Sequence, residues 1–314
     1  MNATATRYRL PFRDDLGFCN VLLSALGGDG ANMAAKLLFK IAVQEMGLDG
    51  GYDARYGSEK KGTATDVSLR LCEPDNPVRQ SGPSTHPHVL VVFHDNMIEP
   101  LELHRGLQQG GTCVVNTRRP PDEVRAWLRL NRGRLVCLDA SAVAHDSGSR
   151  LNMPLLAVLT HELGFPDELV AEQVRKRWPR AANANITAFE QALHGVSARQ
   201  YERGAFEVLS GAPPRGPIGW ANMLNGGTID ALTHTTRGRD NRLAAQGRVP
   251  RFAPESCISC GICLTVCSDP GGLVWSDGKM VGIDDRFCKG CMRCVEVCPE
   301  TKKGKALVAS NGDE

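Results

Sequence analysis

The chain has 314 residues, too many for one ordinary domain, and its 42% hydrophobic and 23% charged content is that of a globular protein. Its formal net charge is only +2, with 37 basic and 35 acidic residues interspersed, which argues against wholesale binding of nucleic acid or of a membrane surface. The longest apolar runs, such as residues 89–93, are too short to span a bilayer, and the opening MNATATRYRLPFRDD lacks the apolar core of an export signal, so a soluble cytoplasmic protein is expected.

From residue 16 to about 210, strands alternate with helices. Residues 20–26 read as a buried strand that passes through Gly27-Gly28-Asp29-Gly30 into a helix over 31–46, whose apolar positions recur at helical spacing. Further strands are predicted at 66–71, 88–93, 111–116 and 134–139; helices fill the gaps and dominate from 151 to about 209. The pattern predicts an α/β sandwich-like domain over residues 1–209, a sheet covered by helices, with ligands at the carboxyl ends of its strands.

The glycine turn follows a strand and opens a helix, so its backbone N–H groups could meet a phosphate or a carboxylate. Tight backbone packing explains the same glycines equally well. The turn does not fit Gly-x-Gly-x-x-Gly, and the Gly-Asp-Gly triplet lacks the downstream metal-binding Asn of a thiamine-diphosphate motif, since residues 53–60 offer none. Cys19, Cys72, Cys113 and Cys137 are scattered over strands and their ends and read as inert core packing. His86, His88, His94 and His104 have no cysteine or carboxylate at ligand spacing and read as surface or loop residues. No catalytic nucleophile–base pair is recognisable.

After residue 209 the texture changes to Gly, Pro and Arg with little periodicity. Residues 210–250 read as an extended connector, either a flexible tether or an arm lying across partner subunits, because long structureless loops inside compact domains are disfavoured.

Residues 251–314 carry eight of the twelve cysteines as two copies of one spacing, Cys257-x2-Cys260-x2-Cys263-x3-Cys267 and Cys288-x2-Cys291-x2-Cys294-x3-Cys298-Pro299. Three thiolates two residues apart can curl round one face of a [4Fe–4S] cube, while the fourth reaches the other cube. Cluster 1 is therefore expected on Cys257, Cys260, Cys263 and Cys298, and cluster 2 on Cys267, Cys288, Cys291 and Cys294. A structural zinc would close on four ligands and leave the repeated four-cysteine runs unexplained, and disulfides would need an oxidising compartment. The first run departs from the usual pattern in having Ser268-Asp269-Pro270, with no proline directly after its last cysteine. Between the runs, apolar residues flank Asp277-Gly278, a strong two-residue turn signal, and predict a hairpin over 272–283 that covers one side of the cluster pair. This small α+β two-cluster, ferredoxin-like domain moves electrons.

Leu26-Gly-Gly-Asp-Gly30 opening a helix, Tyr56-Gly-Ser-Glu-Lys-Lys-Gly62 and the helical Asn152-Met-Pro-Leu-Leu-Ala157 together resemble the gamma component of 2-oxoacid:ferredoxin oxidoreductases. Val274-Trp-Ser-Asp-Gly-Lys-Met-Val-Gly-Ile-Asp284, leading into Cys288-Lys-Gly-Cys291, resembles the delta, ferredoxin-like component of the same family. Together they cover nearly the whole chain. The resemblance implies an electron-transfer subunit whose alpha and beta partners hold thiamine diphosphate and Mg2+, decarboxylate a 2-oxoacid and send single electrons through the clusters to an external ferredoxin. In acyl-producing members the gamma component also helps to receive coenzyme A, which would make Gly28, Gly30, Tyr56, Lys61 and Thr63 ligand-facing positions.

The chain departs from the family pattern after Tyr56-Gly57. The usual form is close to Pro-Glu-x-Arg-Gly-Gly-Thr, and here Lys61 replaces the Arg and Thr63 the second Gly. A bidentate phosphate fork is lost and a side chain is added where backbone approaches the ligand, which weakens a coenzyme A site. Oxalate would not need one, because its second carboxyl leaves as CO2 and no acyl group remains. The fused gamma–delta order also resembles the oxalate oxidoreductase chain. The alternatives are a pyruvate or other 2-oxoacid enzyme that uses coenzyme A, and a stand-alone ferredoxin-type carrier fused to a binding module.

Overall fold

A mostly apolar stretch, broken only by Asn20 and Ser24, makes Cys19–Leu26 an interior strand (β1) of a mixed seven-stranded sheet. The computed structural model describes residues 8–56, 64–76, 78, 82–103, 106–204, 206, 245, 248–268 and 270–309. The other strands of the sheet are β2 (Asp49–Tyr56), β3 (Ala64–Cys72), β4 (Val89–Val92), β5 (Thr112–Asn116), β6 (Gly133–Leu138) and β7 (Ser197–Tyr201), in the order β2-β3-β1-β4-β5-β6-β7. The strands β1, β4, β5 and β6 run parallel to their neighbours in that series, while β2, β3 and β7 pair antiparallel.

Successive residues of these strands face opposite sides of the sheet. Val89, Val91, Val114 and Val136 join one core, packed against α1 (Ala31–Lys40) and four further helices, and Leu90, Val92, Cys113, Val115, Leu135 and Cys137 join the other, packed against α2 (Pro121–Leu128). Next in the chain is α3 (Ala140–Ser147), followed by α4 (Asn152–Glu162), α5 (Asp167–Arg177) and α6 (Ala182–His194). Every residue of α4 from Asn152 to Thr160 is buried, which requires a helix apolar on all sides. The sheet covered by helices is therefore as expected.

Three details correct the sequence reading. The strand β2, with two glycines and three charges in DGGYDARY, has little apolar signal, and it forms because β3 offers it an edge in full register from Asp49↔Cys72 to Tyr56↔Thr65. Helices do not continue to residue 209: after α6 the chain forms β7, whose first four side chains are exposed, so no alternation marks it. Tyr201 anchors that strand through its hydroxyl on Asp122 at 2.8 Å and the Arg125 guanidinium 4.1 Å from its ring centroid. The predicted helix over 31–46 is α-helical only to Lys40 and widens into a π turn over Ile41–Glu45.

The chain divides into two units, residues 1–216 and 217–314. Most of the expected 210–250 connector lies outside the described residues. The second unit contains β8 (Arg251–Phe252), the five-residue helix α7 (Ile262–Val266), β9 (Leu273–Ser276), β10 (Lys279–Ile283), the equally short α8 (Arg293–Val297), β11 (Glu300–Thr301), β12 (Gly304–Lys305) and β13 (Leu307–Val308). The hairpin β9–β10 turns through Asp277 (φ 50°) and Gly278 (φ 73°), as its sequence predicts. No helix among the described residues is long and apolar enough to cross a membrane.

Candidate metal centre

The two cysteine runs fold alike. Ser259 and Gly290, each just before the second cysteine of its run, have φ of 51° and 65°, and Gly261 and Met292, just after it, have 75° and 60°. Left-handed residues on both sides of one cysteine curl the backbone so that its N–H groups converge on the inside of the turn. Ser259 N–H thereby donates to Cys257 Sγ, and Gly290 N–H to Cys288 Sγ, each at 3.4 Å. Each run then enters its short helix, α7 or α8, which buries the third cysteine (Cys263 or Cys294), and leaves it at the fourth in extended backbone. The two helices pack on each other.

This crossing sorts the eight cysteines into two cavities. Cys257, Cys260, Cys263 and Cys298 line the first, with Trp275, Met280, Pro299, Ala306 and Leu307. Cys267, Cys288, Cys291 and Cys294 line the second, with Leu273, Ile283, Met292 and Pro250. Three cysteines of one run and the last of the other therefore share each cavity. The hairpin β9–β10 serves both cavities and not one side alone: its Trp275–Met280 pair faces the first, and Leu273–Ile283 the second.

The thiols also interact electrostatically in these sets. Burial pushes the Cys294 thiol up to about 11, aided by Cys288, Cys267 and Cys291, and burial raises Cys263, aided by Cys260 and Cys257. Four thiolates cannot share such a space without a compensating cation. Among the described residues no three Cys, His, Asp or Glu side chains converge as a single metal ion requires. The donors surround a space, as ligands of a multinuclear cluster would. One further observation fits such a group: the indole Nε1 of Trp275 is buried and has no hydrogen-bond partner among the described residues.

The rims of the cavities differ. Around exposed Cys260 stand Ile258 and Ile262, 63% and 43% exposed; the equivalent places around exposed Cys291 hold Lys289 and Arg293. The first run has no charged residue between its outer cysteines, and the second has Lys289, Arg293 and Glu296.

In the first unit, the structure brings Gly28, Gly30 and Tyr56 to one end of the sheet, where β1 ends at Leu26 beside Ala64. Asp29 closes the glycine turn: one carboxylate oxygen accepts Leu26 N–H at 2.9 Å and lies 2.8 Å from His94 Nε2. Gly30 has φ 87°, and a Cβ there would come within 2.8 Å of the Asn152 amide nitrogen, so packing alone accounts for this glycine. The Tyr56 hydroxyl accepts a bond from Asn32, in the first turn of α1. Lys61, Thr63 and His104 lie outside the described residues. His88 is not a surface residue: it is buried, its Nδ1 accepts Asn20 N–H at 3.0 Å, and burial lowers its pKa against the pull of Asp14. Cys19, Cys72, Cys113 and Cys137 are all buried, as expected, and burial holds the Cys19 and Cys137 thiols near 12.

Residues 249–299 match the 4Fe–4S dicluster domain. Two four-cysteine cavities within that match define an iron–sulfur redox domain, joined in one chain to an α/β domain. Residues 20–194, over half of the chain, match pyruvate ferredoxin/flavodoxin oxidoreductase, and the chain belongs to that family. It is 31% identical over 175 residues to the pyruvate/ketoisovalerate oxidoreductases common subunit gamma of Thermococcus kodakarensis, covering 54% of this chain and 91% of that subunit. It is 20% identical to the pyruvate:ferredoxin oxidoreductase of Moorella thermoacetica, an alignment that takes in 90% of this chain but only 29% of the longer protein. The fold resembles that of the pyruvate oxidoreductase subunit PORC of Thermotoga maritima, with a TM-score of 0.52 at 22% identity over 59% of this chain and 99% of that one.

Proposed function

We propose that this chain is the fused gamma/delta, electron-transfer subunit of a thiamine-diphosphate-dependent 2-oxoacid:ferredoxin oxidoreductase in the cytoplasm. Thiamine diphosphate and Mg2+ sit on alpha- and beta-type partner subunits, and an external ferredoxin takes the electrons. Cys257, Cys260, Cys263 and Cys298 hold one [4Fe–4S] cluster, and Cys267, Cys288, Cys291 and Cys294 the other. Bound clusters supply one-electron storage. The protein supplies thiolates, amide donors and an apolar shell that excludes water and sets the reduction potentials. The observation that carries this reading is the sorting of eight cysteines into two crossed sets of four.

Oxalate is the substrate favoured by the Lys61-Gly62-Thr63 departure, because a weakened phosphate grip matters least where no acyl group must be trapped. In this reading coenzyme A is not used, and Gly28, Gly30 and Tyr56 stand at the end of the sheet that a coenzyme would otherwise approach. A second reading, pyruvate or another 2-oxoacid with coenzyme A, is favoured by the names of the relatives from Thermococcus kodakarensis and Moorella thermoacetica. Assembling the chain with alpha- and beta-type partners and assaying oxalate, pyruvate and other 2-oxoacids, each with and without coenzyme A, separates the two. Thiamine-dependent turnover by the chain alone would overturn the subunit role.

A further inference from the structure

We propose that the indole N–H of Trp275 donates a hydrogen bond to a sulfur of the cluster held by Cys257, Cys260, Cys263 and Cys298, and raises the reduction potential of that cluster alone. This inference rests on the ligand assignment given above. A buried N–H that has given up water must find an acceptor or leave the fold less stable, and Trp275 Nε1 has none among the described residues. Trp275 lines the first cavity, where the nearby groups on the hairpin and around the start of β13 are the Met280 thioether, Ala306 and Leu307. The acceptors that a loaded cavity adds are sulfurs, and they carry more negative charge after the cluster gains an electron. A donor beside them therefore stabilises the reduced form. One electron enters the cluster, and the indole proton stays on nitrogen.

The sister cavity offers no counterpart on the hairpin. Where β9 and β10 give the first cavity Trp275 and Met280, they give the second Leu273 and Ile283, which have no side-chain donor. The amide bonds from Ser259 and Gly290 are equivalent in the two runs and do not distinguish them. Lys289 and Arg293 act on the second cluster by charge, so the test compares variant with parent cluster by cluster, and not one cluster with the other.

The experiment uses the full chain reconstituted without oxygen and titrated with EPR detection. Trp275→Phe removes the donor, and Trp275→benzothienylalanine removes it while keeping the bicyclic shape, since sulfur replaces the N–H. Both should shift one midpoint to a more negative potential and leave the other in place, with iron and sulfide unchanged. Independently of any variant, chain carrying 15N-indole tryptophan should show nitrogen hyperfine coupling in pulsed EPR of the reduced clusters, and Trp275→Phe should abolish it. Unmoved midpoints in the isosteric variant, or no 15N coupling in the parent chain, overturn the role of Trp275. A parent chain that binds no pair of clusters overturns the ligand assignment instead, so the two failures are distinct.

Discussion

The Sγ of Cys263 lies 3.8 Å from the Sδ of Met280, the residue that faces Trp275 across the β9–β10 hairpin. The third cysteine of the first run is thus sealed by a thioether that is only 5% exposed. Truncating that side chain opens a path for water and oxygen without touching a ligand. Met280→Ala should cost about 2–5 kcal/mol of stability in the second unit and speed loss of the first cluster in air, while the second persists. Thermal unfolding and the decay of each EPR signal measure the two effects.

The crossed sets make a prediction about iron content. The parent chain should bind about eight irons and eight sulfides, and Cys298→Ala should lower both to about four while retaining the cluster at Cys288, Cys291 and Cys294. Cys267→Ala should do the reverse. If losing Cys298 instead empties the cavity lined by Cys294, each run wraps its own cluster and the crossing is wrong.

Gly290 and Ser259 occupy the same place in the two runs but should not respond alike to an added methyl. At Gly290 a Cβ would lie 2.5 Å from the Arg248 carbonyl oxygen, in a backbone already at φ 65°. Gly290→Ala should cost about 1–3 kcal/mol and loosen the second cluster. Ser259→Ala keeps a Cβ where one already stands and should change stability by about 0.5 kcal/mol or less. Denaturant unfolding of the reconstituted chain checks both.

That contrast shows what could be read from the sequence. The cysteine spacing anticipates which four thiols line each cavity because the reach of a side chain depends on a residue count, and Asp277-Gly278 states the hairpin because its turn demands two positive φ values. Two of the seven strands in the large sheet were not legible. They are edge strands, β2 and β7, whose side chains are largely exposed or half-buried, so neighbours and not their own patterns hold them. His88 does lie in a bend just before β4, but its burial is not legible for a related reason: its partner is the N–H of Asn20, sixty-eight residues away. The Trp275 N–H, which has no partner among the described residues, also has no local signature, since satisfaction of a donor is a property of the packed hairpin.

Asp66 offers a pH test in the first unit. It sits near the start of β3, accepts the Ser24 hydroxyl at 2.7 Å, and burial raises its pKa above the ordinary 3.8, with the Ser24 bond and Arg55 pulling the other way. A carboxyl raised on folding holds its proton more tightly in the native state. Stability therefore falls as pH climbs past 3.8 and stops falling above the folded pKa. Asp66→Asn keeps an acceptor for Ser24 and removes the charge, so it should raise Tm at neutral pH, with the advantage disappearing below the ordinary carboxylate range. A Tm difference that does not depend on pH would mean that Asp66 is not desolvated in its charged form.

The rim of the second cavity predicts how salt acts on the final electron transfer. Lys289 and Arg293 flank exposed Cys291, whereas Ile258 and Ile262 flank exposed Cys260, so an acidic acceptor should meet its most favourable field at the second cluster. Long-range attraction of this kind is screened beyond a Debye length of about 8 Å at physiological salt. Reduction of an acidic ferredoxin by the prereduced chain should therefore slow as salt rises, and Lys289→Glu with Arg293→Glu should lower the low-salt rate roughly tenfold while leaving reduction of a small neutral dye unchanged. Stopped-flow rates at low and high ionic strength decide it. The exposed pair Lys302 and Lys303, joined to Ser256 by the Lys303 carbonyl, is the control, because it lies beside the first cavity. A larger loss from reversing Lys302 and Lys303 would place the exit at the first cluster.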